Sequence, residues 1–86
     1  MIQTVLKRDG RVVGFNEEKI ATAIRKAMLH TDKGEDLQLI HQITDRISFK
    51  GDSQMTVEAI QDLVEVELMK SSRKDVAQKY IAYRNL

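Results

Sequence analysis

Five side chains near the start of the chain have types and spacing that could do chemistry: Lys7, Arg8, Arg11, Asn16 and Lys19. The first three surround the dipeptide Asp9-Gly10, and the last two open a helix. The chemistry they offer is anion binding. Backbone amides at a helix N-terminus carry partial positive charge and lack intrahelical acceptors. With Asn16 as the cap, a reciprocal capping box would place Glu or Gln three residues later, and Lys19 stands there instead. A cation beside amides without partners suits a phosphate group. Two other readings stand beside this one. Glu17 and Glu18 complement the helix dipole and could neutralise Lys19 without a ligand. Charged residues around a tight turn are also ordinarily just solvated.

Other chemistries find little support. There is no cysteine, which excludes disulfides, a zinc ribbon and thiyl chemistry within these residues. His30 and His41 fall in different segments without metal-ligand spacing, and His30 reads as a helix C-terminal residue. Glu58, Asp62, Glu65 and Glu67 read as the solvated outer side of one helix. No Walker-type loop and no G-x-G-x-x-G motif occurs, and no catalytic constellation is found. Tyr80 and Tyr83, three apart on a helix, read first as core. Tyr83 comes late and beside Arg84, so it also suits the border of a cavity, where a ring can wall a nucleobase.

The elements that must position these residues follow from patterning. "IQTVLKRDGRVVGF" is a hairpin signal, with Asp9-Gly10 supplying the positive φ of a two-residue turn. That loop predicts Leu6 facing Val13 and Thr4 facing Phe15, with Val5, Lys7, Val12 and Gly14 on the opposite side. A first helix follows the Asn16 cap, with Phe15 stapled to Ile20 and an apolar face of Ile20, Ala23, Ile24, Ala27 and Met28. A second runs from about Glu35 to Phe49, with Leu37, Ile40, Ile43 and Ile47 inward. Gln54-Met55 can add a short strand. Thr56 caps a third helix whose stripe is Val57, Ile60, Val64 and Leu68. Ser72 and Asp75 are spaced as a capping box for a fourth, with Val76, Ala77, Tyr80 and Ile81 inward. The fold class is α+β, a four-helix bundle under a β lid, forming one domain over residues 1–86. "YIAYRNL" still reads as helix, which predicts a natural chain continuing past Leu86.

Composition bounds the partners. A net charge of +1 is low for a stand-alone nucleic-acid binder, and no apolar run approaches membrane-spanning length. A cytoplasmic setting is the default expectation, with neither nucleic acid nor membrane as partner.

Four blocks in order, "VLKRDGRVVGFN", "EKIATAIRKAM", "MTVEAIQDLVEVELM" and "DVAQKYIAYR", resemble the ATP-cone, the nucleotide-sensing regulatory domain at the N-terminus of many ribonucleotide reductases. The spelling of the last two most resembles the anaerobic, glycyl-radical class, which acts on ribonucleoside triphosphates. The resemblance implies a four-helix bundle lidded by a three-stranded sheet, with ATP or dATP beneath the lid, accompanied by Mg²⁺. By position, Val5, Lys7 and Arg8 would lie against the nucleotide, with Lys7, Arg8 and Lys19 on the phosphates. Asn16 and Ile20 would line the site near base or sugar, Thr56 would contact the nucleotide, and Tyr83 would stand at the base. Some members carry a histidine four residues after that threonine, where this chain has Ile60. The implied role is allosteric control of a catalytic body following residue 86, through nucleotide-dependent contacts with other reductase subunits. Two alternatives remain at this point: the ATP-cone of a transcriptional regulator, whose zinc ribbon would need the missing cysteines, and a nucleotide-dependent oligomerisation module.

Overall fold

A computed structural model describes all residues from Met1 to Leu86. The hairpin forms where the two β-prone runs predict it, as β1 (Thr4–Leu6) and β2 (Val12–Gly14). Its register differs from expectation by one residue: Thr4 pairs with Gly14, Val5 with Val13 and Leu6 with Val12. The turn is longer because the Gly10 N–H donates to the Lys7 carbonyl at 3.0 Å and the Lys7 N–H to the Arg11 carbonyl at 2.7 Å. Gly10, at φ 90°, therefore follows a tight turn as the bulge residue of a three-residue loop. The Asp9 carboxylate accepts from the Arg11 N–H at 3.1 Å and from Arg11 Nε at 2.7 Å, which holds this arrangement. A one-residue slip changes every cross-strand pair. Here it sets Val13 opposite Val5, with Lys7 and Phe15 on that same face.

The third strand is present as β3 (Gln54–Thr56), parallel to β1, and the sheet order is β2-β1-β3. Helix α1 (Glu17–Leu29) begins where Asn16 Oδ1 accepts the Glu18 N–H at 3.0 Å, and it ends at His30. Helix α2 (Leu37–Lys50) starts two residues later than predicted, because Asp36 caps it through the Leu39 N–H. That start leaves Leu37 57% exposed instead of inward, while Ile40, Ile43, Thr44 and Ile47 are buried. Gly51 caps α2 against the buried Ile2 side chain, where any Cβ would collide with that isoleucine and with Met55.

Helix α3 (Val57–Lys70) starts at Thr56, whose Oγ1 accepts the Ala59 N–H at 3.1 Å. Its acidic side is not simply solvated. Glu67 is buried, 4% exposed, with Arg46 at 3.3 Å and Lys50 at 3.5 Å from one carboxylate oxygen. Helix α4 (Lys74–Arg84) lacks the predicted Ser72 cap, and Arg73 takes the cap position without a side-chain cap bond. Asp75 is bound by the Arg73 guanidinium instead, which holds its carboxyl below the usual carboxylate range. Buried Arg73 also donates to Thr31 Oγ1 at 3.1 Å and the Gly34 carbonyl at 2.8 Å, tying the α1–α2 loop to α4. The helices close a ring in which α1 packs on α2 and α4, and α3 on the same two. Their stripes form one core, onto which the sheet side packs Val5, Phe15 and Met55. No helix is long and apolar enough to cross a membrane.

Candidate functional site

A cleft of about 210 Å³ opens between the sheet, α1, α3 and α4. The sheet side contributes Val5, Lys7, Val13 and Phe15, the face that the observed register assembles. Asn16, Lys19 and Ile20 enter from the first turn of α1, which β2 feeds almost directly. Helix α3 supplies Ile60, Gln61 and Val64, and α4 supplies Tyr80.

The electrostatics of this cleft are one-sided. Its lining contains two lysines and no carboxylate. The paired cations of the chain are Arg8, Arg11, Arg25, Arg46, Lys50, Arg73 and Arg84, so Lys7 and Lys19 both lack an acidic partner. Glu17, a candidate to neutralise Lys19, instead accepts from Ser48 Oγ at 3.3 Å, on the α2 side. Neither Glu17 nor Glu18 forms an ion pair with Lys19. Two lysines without an ion-pair partner beside apolar walls can attract an anion, with Asp9 the acid whose titration feels Lys7. The helix start itself contributes less than its sequence promised. The Glu18 N–H is satisfied by Asn16 Oδ1, and the Lys19 N–H donates to the Asn16 carbonyl at 3.1 Å.

Five of the eight residues anticipated around a ligand thus converge on the cleft: Val5, Lys7, Asn16, Lys19 and Ile20. Three stand outside its lining. Arg8 is ion-paired to Glu58, whose carboxyl that guanidinium holds below its usual range. Thr56 serves as the α3 cap. Tyr83 is 58% exposed and borders a shallow depression with Glu18, Thr22 and Lys26, which shares Lys19 and Ala23 with the cleft. Tyr80, one turn earlier, lines the cleft together with Phe15, and burial pushes its hydroxyl up to about 12. Sequence reasoning left out Val13, because its register was misread, and Gln61, a polar residue flanking the apolar stripe of α3.

No group of three or more potential metal-ligating side chains is present. With no acid in the lining either, a divalent ion here would depend on ligand oxygens and water.

Comparison with known proteins places this geometry in context. Residues 3–86 match the family model described as the ATP cone domain. The chain is similar to a vitamin B12-dependent ribonucleoside-diphosphate reductase of Thermoplasma acidophilum, 43% identical over 98% of this chain and 12% of that protein. It is similar to the ribonucleoside-diphosphate reductase subunit alpha of Chlamydia pneumoniae, 36% identical over 95% of this chain and 9% of that one. It is also similar to the anaerobic ribonucleoside-triphosphate reductase of Escherichia coli, 33% identical over 99% of this chain and 12% of that one. The chain spans about a tenth of the length of these curated relatives.

Proposed function

This chain belongs to the ATP-cone family, and on that footing we propose that it binds ATP or dATP in the cleft under the sheet and acts as an allosteric regulatory domain of a ribonucleotide reductase. The observation that carries the reading is the pair of unpartnered lysines, Lys7 and Lys19, on a cleft without acids and otherwise largely apolar. Such a lining matches a ligand with a polyanionic end and a flat, weakly polar end. Lys7 and Lys19 take the phosphates, and Arg8 joins them by leaving Glu58. Asn16 keeps its cap through Oδ1 and has its amide nitrogen free for sugar or phosphate, while Val5 and Ile20 form walls. Thr56 and Tyr83 flank the site and contact the nucleotide at its margins. Mg²⁺ would travel with the triphosphate, held by phosphate oxygens and water, and would offset charge that two or three cations leave uncompensated.

Regulation requires differential binding. A nucleotide moves a distant activity only by favouring one global state of the protein, commonly by ~1–3 kcal/mol. Proteins named as diphosphate and as triphosphate reductases both match over nearly the whole chain, so the proposed role is common to both kinds. The catalytic body and the partner subunits whose contacts change belong to the larger protein.

Calorimetry of the chain with ATP, dATP and GTP tests the reading. The expected result is saturable binding of both adenine nucleotides and much weaker binding of GTP. Equal affinity for ATP and GTP, or no binding of any of them, overturns it.

A further inference from the structure

Two lysines account for an anion, but not for the choice of base. The polar side chains of the cleft apart from the lysines are Asn16, Gln61 and Tyr80. Asn16 Oδ1 is spent on the Glu18 N–H, at the α1 end beside Lys19. Gln61 differs. It lies in the second turn of α3, half-buried, with Val57, Ile60 and Val64 of the same helix as neighbours in the lining. The side-chain hydrogen bonds of α3 use Thr56, Glu58, Asp62, Glu65 and Glu67, and none uses the Gln61 amide. Nor is that amide sealed in the core: the buried side-chain atom left without a partner is Thr44 Oγ1, on α2. Gln61 therefore lines the cleft with an amide that is open to solvent and has its donor and acceptor both uncommitted.

We propose that Gln61 is the specificity-determining residue of the cleft, hydrogen-bonding the edge of an adenine base while Lys7 and Lys19 hold the phosphates. The inference rests on the adenine-nucleotide reading above and adds the group that reads the base. A carboxamide presents one donor and one acceptor side by side, which matches an exocyclic amino group beside a ring nitrogen. Guanine presents a carbonyl at C6 where adenine has its amino group, and adds an amino group at C2, and the surrounding walls are Val57, Ile60 and Val64. Polar groups desolvated there without partners disfavour the wrong base more than a lost contact does. Tyr80 stays neutral at physiological pH, so no charge competes with this pairing.

The test compares Gln61→Leu and Gln61→Met with the unaltered chain, titrating ATP, GTP and inorganic tripolyphosphate by calorimetry, with melting temperature as the check on folding. The expected result is a fall in ATP affinity of about tenfold or more, a collapse of the ATP-over-GTP preference, and tripolyphosphate binding unchanged within about twofold. ATP affinity unchanged in both variants, while the unaltered chain binds ATP, overturns the role of Gln61 and leaves the site reading intact. Parallel loss of ATP and tripolyphosphate also overturns it, because Gln61 would then serve the phosphate end or the fold. Absence of ATP binding by the unaltered chain overturns the site reading itself.

Discussion

Arg8 at the hairpin tip donates through Nε to the Glu58 carboxylate in the first turn of α3, fifty residues away in sequence. The pair closes the hairpin onto α3 beside the cleft and holds back one cation from it. A nucleotide that recruits Arg8 must first break this contact. Glu58→Gln should therefore tighten ATP binding, by about two- to fivefold given how little exposed ion pairs are worth. Calorimetry at constant ionic strength measures it. Affinity unchanged or lowered would mean that Arg8 remains on α3 and does not reach phosphate. The pair also has an acid limit: Glu58 titrates below its ordinary value of 4.5, so its contribution is present above that pH and lost as pH falls further.

Lys19→Ala separates ligand binding from fold. Lys19 is exposed, has no ion pair and opposes the dipole of α1, so its removal should leave the unliganded chain as stable or slightly more stable. ATP should bind about ten- to a hundredfold more weakly, the equivalent of a charge-assisted contact of ~1.5–3 kcal/mol. Melting curves and calorimetry on the same preparation give the two signs. A destabilised chain with unaltered affinity would assign Lys19 to the fold.

Thr56→Val removes the oxygen that caps α3 while keeping the shape of the side chain. Stability should fall by ~1 kcal/mol, which for a chain of this size lowers the melting temperature by about 4–8 °C. If the Thr56 hydroxyl also touches nucleotide, ATP affinity falls as well, and Thr56→Ser restores both. An affinity identical to that of the unaltered chain would limit Thr56 to its cap.

Tyr80 supplies a test at alkaline pH. Burial disfavours its phenolate and raises the folded-state value to about 12, against the ordinary 10.0. The unfolded chain thus ionises first. The stabilisation is complete below pH 10 and disappears as pH rises through 12. Denaturant unfolding between pH 8 and 12 should show a steeper decline for the unaltered chain than for Tyr80→Phe. Parallel declines would mean that the Tyr80 hydroxyl ionises equally easily in both states.

Most of the architecture was legible because local signals and burial agree. Asn16 and Thr56 cap as their types predict, and the stripes of α1 and α3 are buried as their periods require except at Ala23 and Val57, which are half-buried along the cleft. Illegible features depend on partners distant in sequence. The hairpin register turned on the Asp9 carboxylate choosing the Arg11 backbone and side chain, a contest that the dipeptide Asp9-Gly10 alone does not decide. Glu67 looks like its neighbours on an acidic face until Arg46 and Lys50 of α2 arrive over it. Ser72 and Asp75 have capping-box spacing, yet Arg73 between them takes Asp75 for itself. Gly51 at the end of α2 must be small because of Ile2 at the other end of the chain, a neighbour that no local pattern reveals. At the site, the cations and the cap were visible from residue type. The neutral lining was not, because which side of a stripe faces a cleft is settled only when four elements meet.

Thr56 is at once the last residue of β3 and the cap of α3, so strand and helix share a joint with no intervening slack. A shift of the sheet on binding the proposed nucleotide would reach α3 through this joint as a tilt. The helix would then serve as a lever arm of fourteen residues. At 1.5 Å rise per residue its length is about 21 Å, and a tilt of about 5° sweeps the far end by about 2 Å. That far end carries Val66 and Met69, both exposed, on the outside of the bundle. In the proposed nucleotide-bound state the displacement would therefore be largest where the chain shows apolar side chains to its surroundings, well away from the phosphates.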